Sequence, residues 1–280
     1  MTKADEDAAE RSPRRAATEA AGGYAADTIP DKATRARSFG AVADTYDRGR
    51  PGWPAEAIEW LLGPEPLDVL ELGAGTGKLT AALLAAGHRV TALEPSAGMR
   101  EVLAARVGDA PDATVIDGRA EQIPLDDAGV DAVVVGSAFH WFDREPTLEE
   151  IGRVLRPPGL FGLLGNRYDT SVDWQRRLRK VTGAGMIYRG NHWPKQAELR
   201  ERFAEVEDRT FAHRMEVDPA MLRDYLASLS WVATMPPAER DTHLAAVDEF
   251  WANEPDLKGR TSATLAWRTP VRRARVLRIR

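Results

Sequence analysis

Apolar residues in the middle of this chain fall into short runs separated by helical patterns. Runs at 67–72, 88–94, 113–117, 130–135 and 159–165 have the length and the Val/Leu-rich content of strands buried on both faces. Between them, 77–86, 96–106 and about 145–155 have helix-forming composition. This alternation predicts an α/β fold, a parallel sheet with helices on both faces. Right-handed crossovers then place any ligand at the carboxyl ends of the strands. After Asn166 the pattern changes. A basic helix is expected at 172–182, a glycine-rich loop with aromatics at 183–194 and a strand at 203–217. Helices should follow at 219–232 and 237–251, then a last strand at 261–278 interrupted near Pro270. Upstream, Phe39, Val42 and Tyr46 have approximate helical spacing, and 55–62 reads as a helix opening after Pro54. Residues 1–34 are Ala-rich and charged, and are expected to be a disordered or mobile segment.

The first predicted strand runs into Glu71, then Gly73, Gly75 and Gly77, then the helical pattern from Lys78. Glycines at alternate positions mark a turn where the backbone comes close to a ligand. A dinucleotide turn needs G-x-G-x-x-G, and Lys78 stands where its third glycine would be. The carboxylate of Glu71 also argues against a pyrophosphate and suits an ammonium or sulfonium. Glu94 follows Gly75 by nineteen residues, at the end of the second strand, where an acid takes a ribose diol. An adenosine with a cationic tail and no phosphate is S-adenosylmethionine.

Composition narrows the alternatives. The 280 residues carry a net charge of −5, which gives no global attraction to nucleic acid or an anionic membrane. Arg272, Arg273, Arg275, Arg278 and Arg280 are expected to be solvated on the outward face of the last strand. There are no cysteines, so thiolate catalysis and thiolate metal sites are excluded, and the five histidines lack metal-ligand spacing. No apolar run approaches the roughly 18 residues of a membrane span. No signal-peptide pattern is visible, and the cytoplasm is the expected location.

The blocks ELGAGTGKLT (71–80), LEPSAGM (93–99), GRAEQIPL (118–125), VDAVVVGSAFHWFD (130–143) and RVLRPPG (153–159) together resemble the class I S-adenosylmethionine-dependent methyltransferases. The upstream FGAVADTYDRGRPGWP (39–54) and the FHWF run (139–142) look like the small-molecule branch that includes trans-aconitate methyltransferases. The resemblance is close over about 38–168 and loose elsewhere. It implies a Rossmann-like, seven-stranded, mostly parallel sheet whose last two strands form a hairpin. It also implies a methyltransferase domain at 35–280, with an N-terminal lid at 35–62 and a small helical cap at about 171–200 and 218–256.

The resemblance assigns donor contacts to Tyr46, Arg50, Glu71, Gly73, Ala74, Gly75, Gly77, Glu94, Pro95, Met99, Ala120, Glu121 and Ser137. Arg119 departs from the acid that many members carry, which leaves adenine to Ala120 or Glu121. His140, Tyr46 and Asn166 are the candidate catalytic groups; an imidazole titrates near neutrality and suits a base or an orienting group. His140, Trp141, Asn166, Tyr168, Tyr188 and Trp193 are the candidate acceptor contacts, and no metal is expected. Trp174, Trp193, Trp231, Trp251 and Tyr188 fall in the proposed cap. If two of them line the pocket they favour a flat or cationic acceptor. The expected reaction is therefore methyl transfer to a small organic acceptor, such as a phenol, amine or indole-like ring, in bacterial secondary metabolism. Arg167 and Arg189 keep open a carboxylate acceptor of the aconitate type. A non-methylating cyclase or regulatory binder on the same scaffold is a further alternative, and a nicotinamide-dependent oxidoreductase a remote one. A monomer or homodimer is expected, with no nucleic-acid or membrane partner.

Overall fold

The computed structural model describes residues 47–183 and 193–276. Helix α1 (Ala55–Leu62) leads into β1 (Asp68–Leu72), α2 (Lys78–Ala85), β2 (Arg89–Leu93), α3 (Ala97–Val107), β3 (Ala113–Ile116) and β4 (Val130–Gly136). A 3₁₀ turn (Phe139–Trp141), α4 (Arg144–Val154), β5 (Leu155–Leu164) and the two-residue β6 (Arg167–Tyr168) follow. The remainder is α5 (Asp173–Val181), α6 (Gln196–Arg200), β7 (Phe203–Val217), α7 (Pro219–Ala227), α8 (Ser230–Ala233), α9 (Pro237–Asn253) and β8 (Ala263–Val276). The strands form one sheet in the order β3-β2-β1-β4-β5-β8-β6, with β7 on the other edge of β8. Strands β1 to β5 are parallel, and β8 runs antiparallel to β5, β6 and β7. This is the Rossmann-like sheet expected from the sequence, with the short β6 as an added piece.

Both faces of the sheet are dry, which explains the unbroken apolar runs. Side chains alternate along a strand. Leu70, Leu72, Val133 and Val135 join Leu148, Ile151 and Phe161 on one face. Val69, Ala132 and Val134 join Ile58, Leu61 and Leu83, from α1 and α2, on the other. Each fully buried leucine or isoleucine here contributes about 1.5–3 kcal/mol. By the same alternation Glu71 points to the α2 side of the sheet.

A second core lies beyond β6 and β8. It gathers Trp174 and Leu178 of α5, Leu222 and Leu226 of α7, Trp231 of α8, Val247 and Trp251 of α9, and Leu265 and Trp267 of β8. Gln175, fully buried, locks α5 to the sheet. Its amide donates to Ala266 O and its carbonyl accepts from Ala266 N–H, both at 2.8 Å. The side chain thus imitates a paired strand just where β6 ends.

Three expectations need correction. The strand at 261–278 is continuous through Pro270, which pairs with Thr210. Its carbonyl accepts from Gly165 N–H, at the break between β5 and β6. The carbonyl and amide of one strand residue face the same way, so the missing N–H falls at that break. The helix expected at 219–232 is two helices, because buried Ser228 turns the chain and its hydroxyl donates to Tyr225 O at 2.6 Å. Within the proposed cap, α5 packs in the second core, whereas Leu199 of α6 joins the first. Arg272 is not solvated but 7% exposed. Its guanidinium donates to Asp208 and to Pro194 O. Arg273 pairs with Glu207 and Arg275 with Glu205, while Arg278 and Arg280 lie outside the described residues.

Candidate active site

The turn after β1 carries the first half of the site. Gly73, Gly75 and Gly77 all have positive φ, at 67°, 59° and 81°. At Gly77 a Cβ would meet Leu103 Cδ1 of α3 at 2.4 Å, so this glycine lets α3 close on the turn. A Cβ at Gly75 would meet nothing within 4 Å, so its backbone faces open space. Glu71 is 2% exposed and accepts from Thr80 Oγ1 at 2.6 Å. Burial, with Glu94 adding repulsion, outweighs that hydrogen bond and pushes its carboxyl up to about 8. A buried acid held at the edge of a cleft becomes a carboxylate readily when a cation arrives.

At the end of β2, Glu94 is held by two backbone amides. Gly75 N–H donates to Oε2 and Ser96 N–H to Oε1, each at 2.9 Å. Burial raises its pKa and these two amides oppose the rise. The carboxylate therefore ties the glycine turn to the start of α3, where a helix N-terminus also favours negative charge. Beyond β3, Ala120 is buried and Glu121 accepts from Asp143 N–H at 2.8 Å.

A cleft of about 550 Å³ opens beside the turn. Glu71, Gly73, Ala74, Gly75, Thr76 and Lys78 line one end. Ser137, just past β4, lies between. Its φ of 55° is rare for a residue with a side chain, and such strain gathers at functional sites. Asn166, Tyr225, Trp267 and Arg50 line the other end, and Trp53 lies beside Gly136 and Leu79. Tyr225 and Trp267 are 5.5 Å apart edge to face, and Tyr168 packs behind both at 5.3 and 4.9 Å.

Residues 47–50 bridge the two ends. Asp47 accepts from Thr76 Oγ1 at 3.0 Å and pairs with Arg106 and, at 3.9 Å, Lys78. Arg48 pairs with Asp224 at 2.8 Å, on α7. Gly49 packs so closely that a Cβ would lie 2.2 Å from Tyr225 N. Arg50 donates to Ser228 Oγ and Ser228 O at 2.9 and 3.1 Å, with its guanidinium 5.1 Å from the Tyr225 ring centroid. Burial lowers the pKa of Lys78 while Asp47 raises it.

Of the residues expected from the sequence, the cleft brings together Arg50, Glu71, Gly73, Ala74, Gly75, Ser137 and Asn166. Gly77, Glu94, Pro95, Met99, Ala120 and Glu121 sit around the adjoining ends of β1, β2 and β3. His140 lies against Trp141, its ring tilted and 4.7 Å away, in the 3₁₀ turn beside the β4 end. Tyr168 is buried behind the aromatic end. Trp193 packs against the first core, with Arg272 5.9 Å from its ring. Trp174, Trp231 and Trp251 are buried in the second core, so they do not supply the aromatic wall. Tyr46, Tyr188 and Arg189 lie outside the described residues. Sequence reasoning missed Trp53, Lys78, Tyr225 and Trp267. Trp267 stood in a predicted strand and Tyr225 in a predicted helix, with no local signal to distinguish them from core. Among the described residues no cluster of histidines and acids could hold a metal, and no helix is long and apolar enough to cross a membrane.

Comparison with known proteins agrees with this geometry. Residues 70–163 match the model of a methyltransferase domain family. An uncharacterised methyltransferase of Mycobacterium tuberculosis is 38% identical over 237 residues, covering 85% of this chain and 95% of the relative. A malonyl-[acyl-carrier protein] O-methyltransferase of Methylococcus capsulatus is 38% identical over 167 residues, covering 56% of this chain and 60% of that protein. The structure of a proposed type II methyltransferase from Anaeromyxobacter dehalogenans superposes with a TM-score of 0.60 at 24% identity, over 81% of this chain and 98% of that one. The chain belongs to the class I S-adenosylmethionine-dependent methyltransferases. It is a methyltransferase whose cofactor is S-adenosylmethionine. A buried acid beside an open glycine turn, with no cation within hydrogen-bond reach among the described residues, fits the positive end of that molecule.

Proposed function

We propose that the chain transfers the methyl group of S-adenosylmethionine to a small aromatic or heteroaromatic acceptor, in secondary metabolism. The observation that supports this most is the pair of Tyr225 and Trp267, in edge-to-face contact in the lining of the cleft. Flat acceptors stack on such rings, and cationic ones gain from their π-faces. When bound, the donor supplies an already activated methyl group, so the protein's task is alignment and exclusion of water. Glu71 offers charge to the donor's cationic end, and Glu94 takes its ribose hydroxyls. Asn166 and Ser137 border the space between donor and acceptor. His140 receives or orients the acceptor's proton from the β4 end. The α5 and α7–α9 helices serve as the cap over the acceptor.

A second reading, a carboxylate acceptor of the aconitate type, draws on Arg50 at the same wall. Against it, Arg167 is exposed and does not line the cleft. Incubation with donor labelled on its methyl group separates the two. Label should pass to phenols, aromatic amines or indoles and not to di- and tricarboxylic acids. Transfer to the acids alone would establish the second reading. Titration calorimetry with S-adenosylhomocysteine should show binding in either case.

A further inference from the structure

Asn166 lines the cleft and is held at both ends of its amide. Its Oδ1 accepts from Thr269 Oγ1 at 2.6 Å, and its Nδ2 donates to Gly52 O at 3.0 Å. A threonine hydroxyl has one hydrogen. With that hydrogen given to Asn166, the oxygen can only accept from His213 Nδ1, which lies 3.2 Å away. His213 is therefore protonated on Nδ1. Its Nε2 is buried without a hydrogen-bond partner. A bare lone pair is the cheaper group to leave there than an N–H or a charge. Burial lowers the His213 pKa and so keeps the ring neutral. The imidazole is also stacked on Trp267, at 6.4 Å and 16°, part of the aromatic wall.

This chain, from β7 through β8 to the end of β5, gives the Asn166 amide one orientation. Flipping it would set its carbonyl against Gly52 O, which can only accept. Nδ2 carries two hydrogens and only one goes to Gly52. The other has no partner among the described residues, and Asn166 lines the cleft.

We propose that Asn166 anchors the acceptor, donating its second amide hydrogen to an oxygen on a planar aromatic ring, and that Thr269 and His213 are positioning residues that fix this donor. The proposal rests on the methyl-transfer reading of the cleft and adds to it the acceptor's polar atom and its partner.

The test uses the whole chain saturated with S-adenosylhomocysteine and two ring probes, 2-naphthol and naphthalene, followed by tryptophan fluorescence. One neutral hydrogen bond should make 2-naphthol bind about 5- to 10-fold more tightly. Thr269→Val should bring that ratio near one, and His213→Phe should lower it. Thr269→Ser, which keeps the hydroxyl, should preserve it. S-adenosylhomocysteine affinity should stay the same in all three variants. A ratio unchanged in Thr269→Val would overturn the proposal, because a merely structural threonine would not act on the oxygen alone. Failure of both probes to bind the nucleoside-saturated chain would overturn the aromatic class. Failure of S-adenosylhomocysteine itself to bind would instead remove the reading beneath it.

Discussion

The two ends of the cleft are assembled in opposite ways. The glycine end is local: Glu71 meets Thr80, and Gly75 meets Glu94, all inside one β-α-β stretch. The aromatic end draws on residues from four distant places, Arg50, Asn166, Tyr225 and Trp267. The glycine end is also charged and backbone-rich, whereas the aromatic end is built of side chains packed on a second core. A shared donor needs one fixed local motif. An acceptor particular to one enzyme can be met by side chains that the fold gathers from afar.

The contrast can be broken most severely at Gly77. A Cβ there would strike Leu103 at a left-handed φ, so Gly77→Ala should cost about 2–4 kcal/mol in a urea melt. A loss under about 0.5 kcal/mol would mean that α3 is not held by this contact. Next, Glu94→Ala should weaken S-adenosylhomocysteine binding by about 1–3 kcal/mol, through lost charge-assisted bonds and a loosened turn. An unchanged dissociation constant in calorimetry would detach Glu94 from the donor.

Glu71 sharpens the comparison through pH. Its folded pKa of about 8 lies above its ordinary 4.5, so the folded chain holds a proton that the unfolded chain releases. That contribution to stability is complete below pH 4.5 and is lost as pH rises through about 8. Glu71→Gln should therefore flatten the fall in melting temperature of the ligand-free chain between about pH 5 and pH 9. It should also remove the proton release that accompanies donor binding, read by calorimetry in two buffers of different ionisation enthalpy. Equal pH profiles for variant and wild type would show that Glu71 does not titrate in this range. The smallest effect on the donor is expected at the far end. Tyr225→Leu should leave S-adenosylhomocysteine affinity within about 3-fold while reducing methyl transfer to aromatic acceptors more than 10-fold. His140→Ala should likewise lower turnover more than donor affinity, and an equal loss of both would make it structural.

The sheet was legible because each central strand is buried on both faces and so reads as an apolar run. Glu71 and Glu94 were legible because their partners lie close along the chain. Tyr225 and Trp267 were not, since a cleft-lining aromatic has the same local pattern as a core one. Only the pairing of β8 with β6 and the docking of α7 bring them to the cleft. Of the five aromatics singled out from the cap, Tyr188 lies outside the described residues and the other four do not line the cleft. Trp174, Trp231 and Trp251 face the second core, and Trp193 lies under Arg272. Pro270 misled because its missing donor was counted against the strand, whereas the break in the neighbouring strand absorbs it.

The absence of a side chain at Gly49 has a consequence for leakage. Its backbone lies flush on Asp224 and Tyr225, and a methyl group there would overlap the main chain of α7. Any larger residue would lift the bridge off that helix and admit bulk water to the reacting centre. Water there would solvate the sulfonium and slow a displacement whose charge disperses in the transition state. On the proposed reading, the tightness of one seam between glycine and helix thus bears on the speed of methyl transfer.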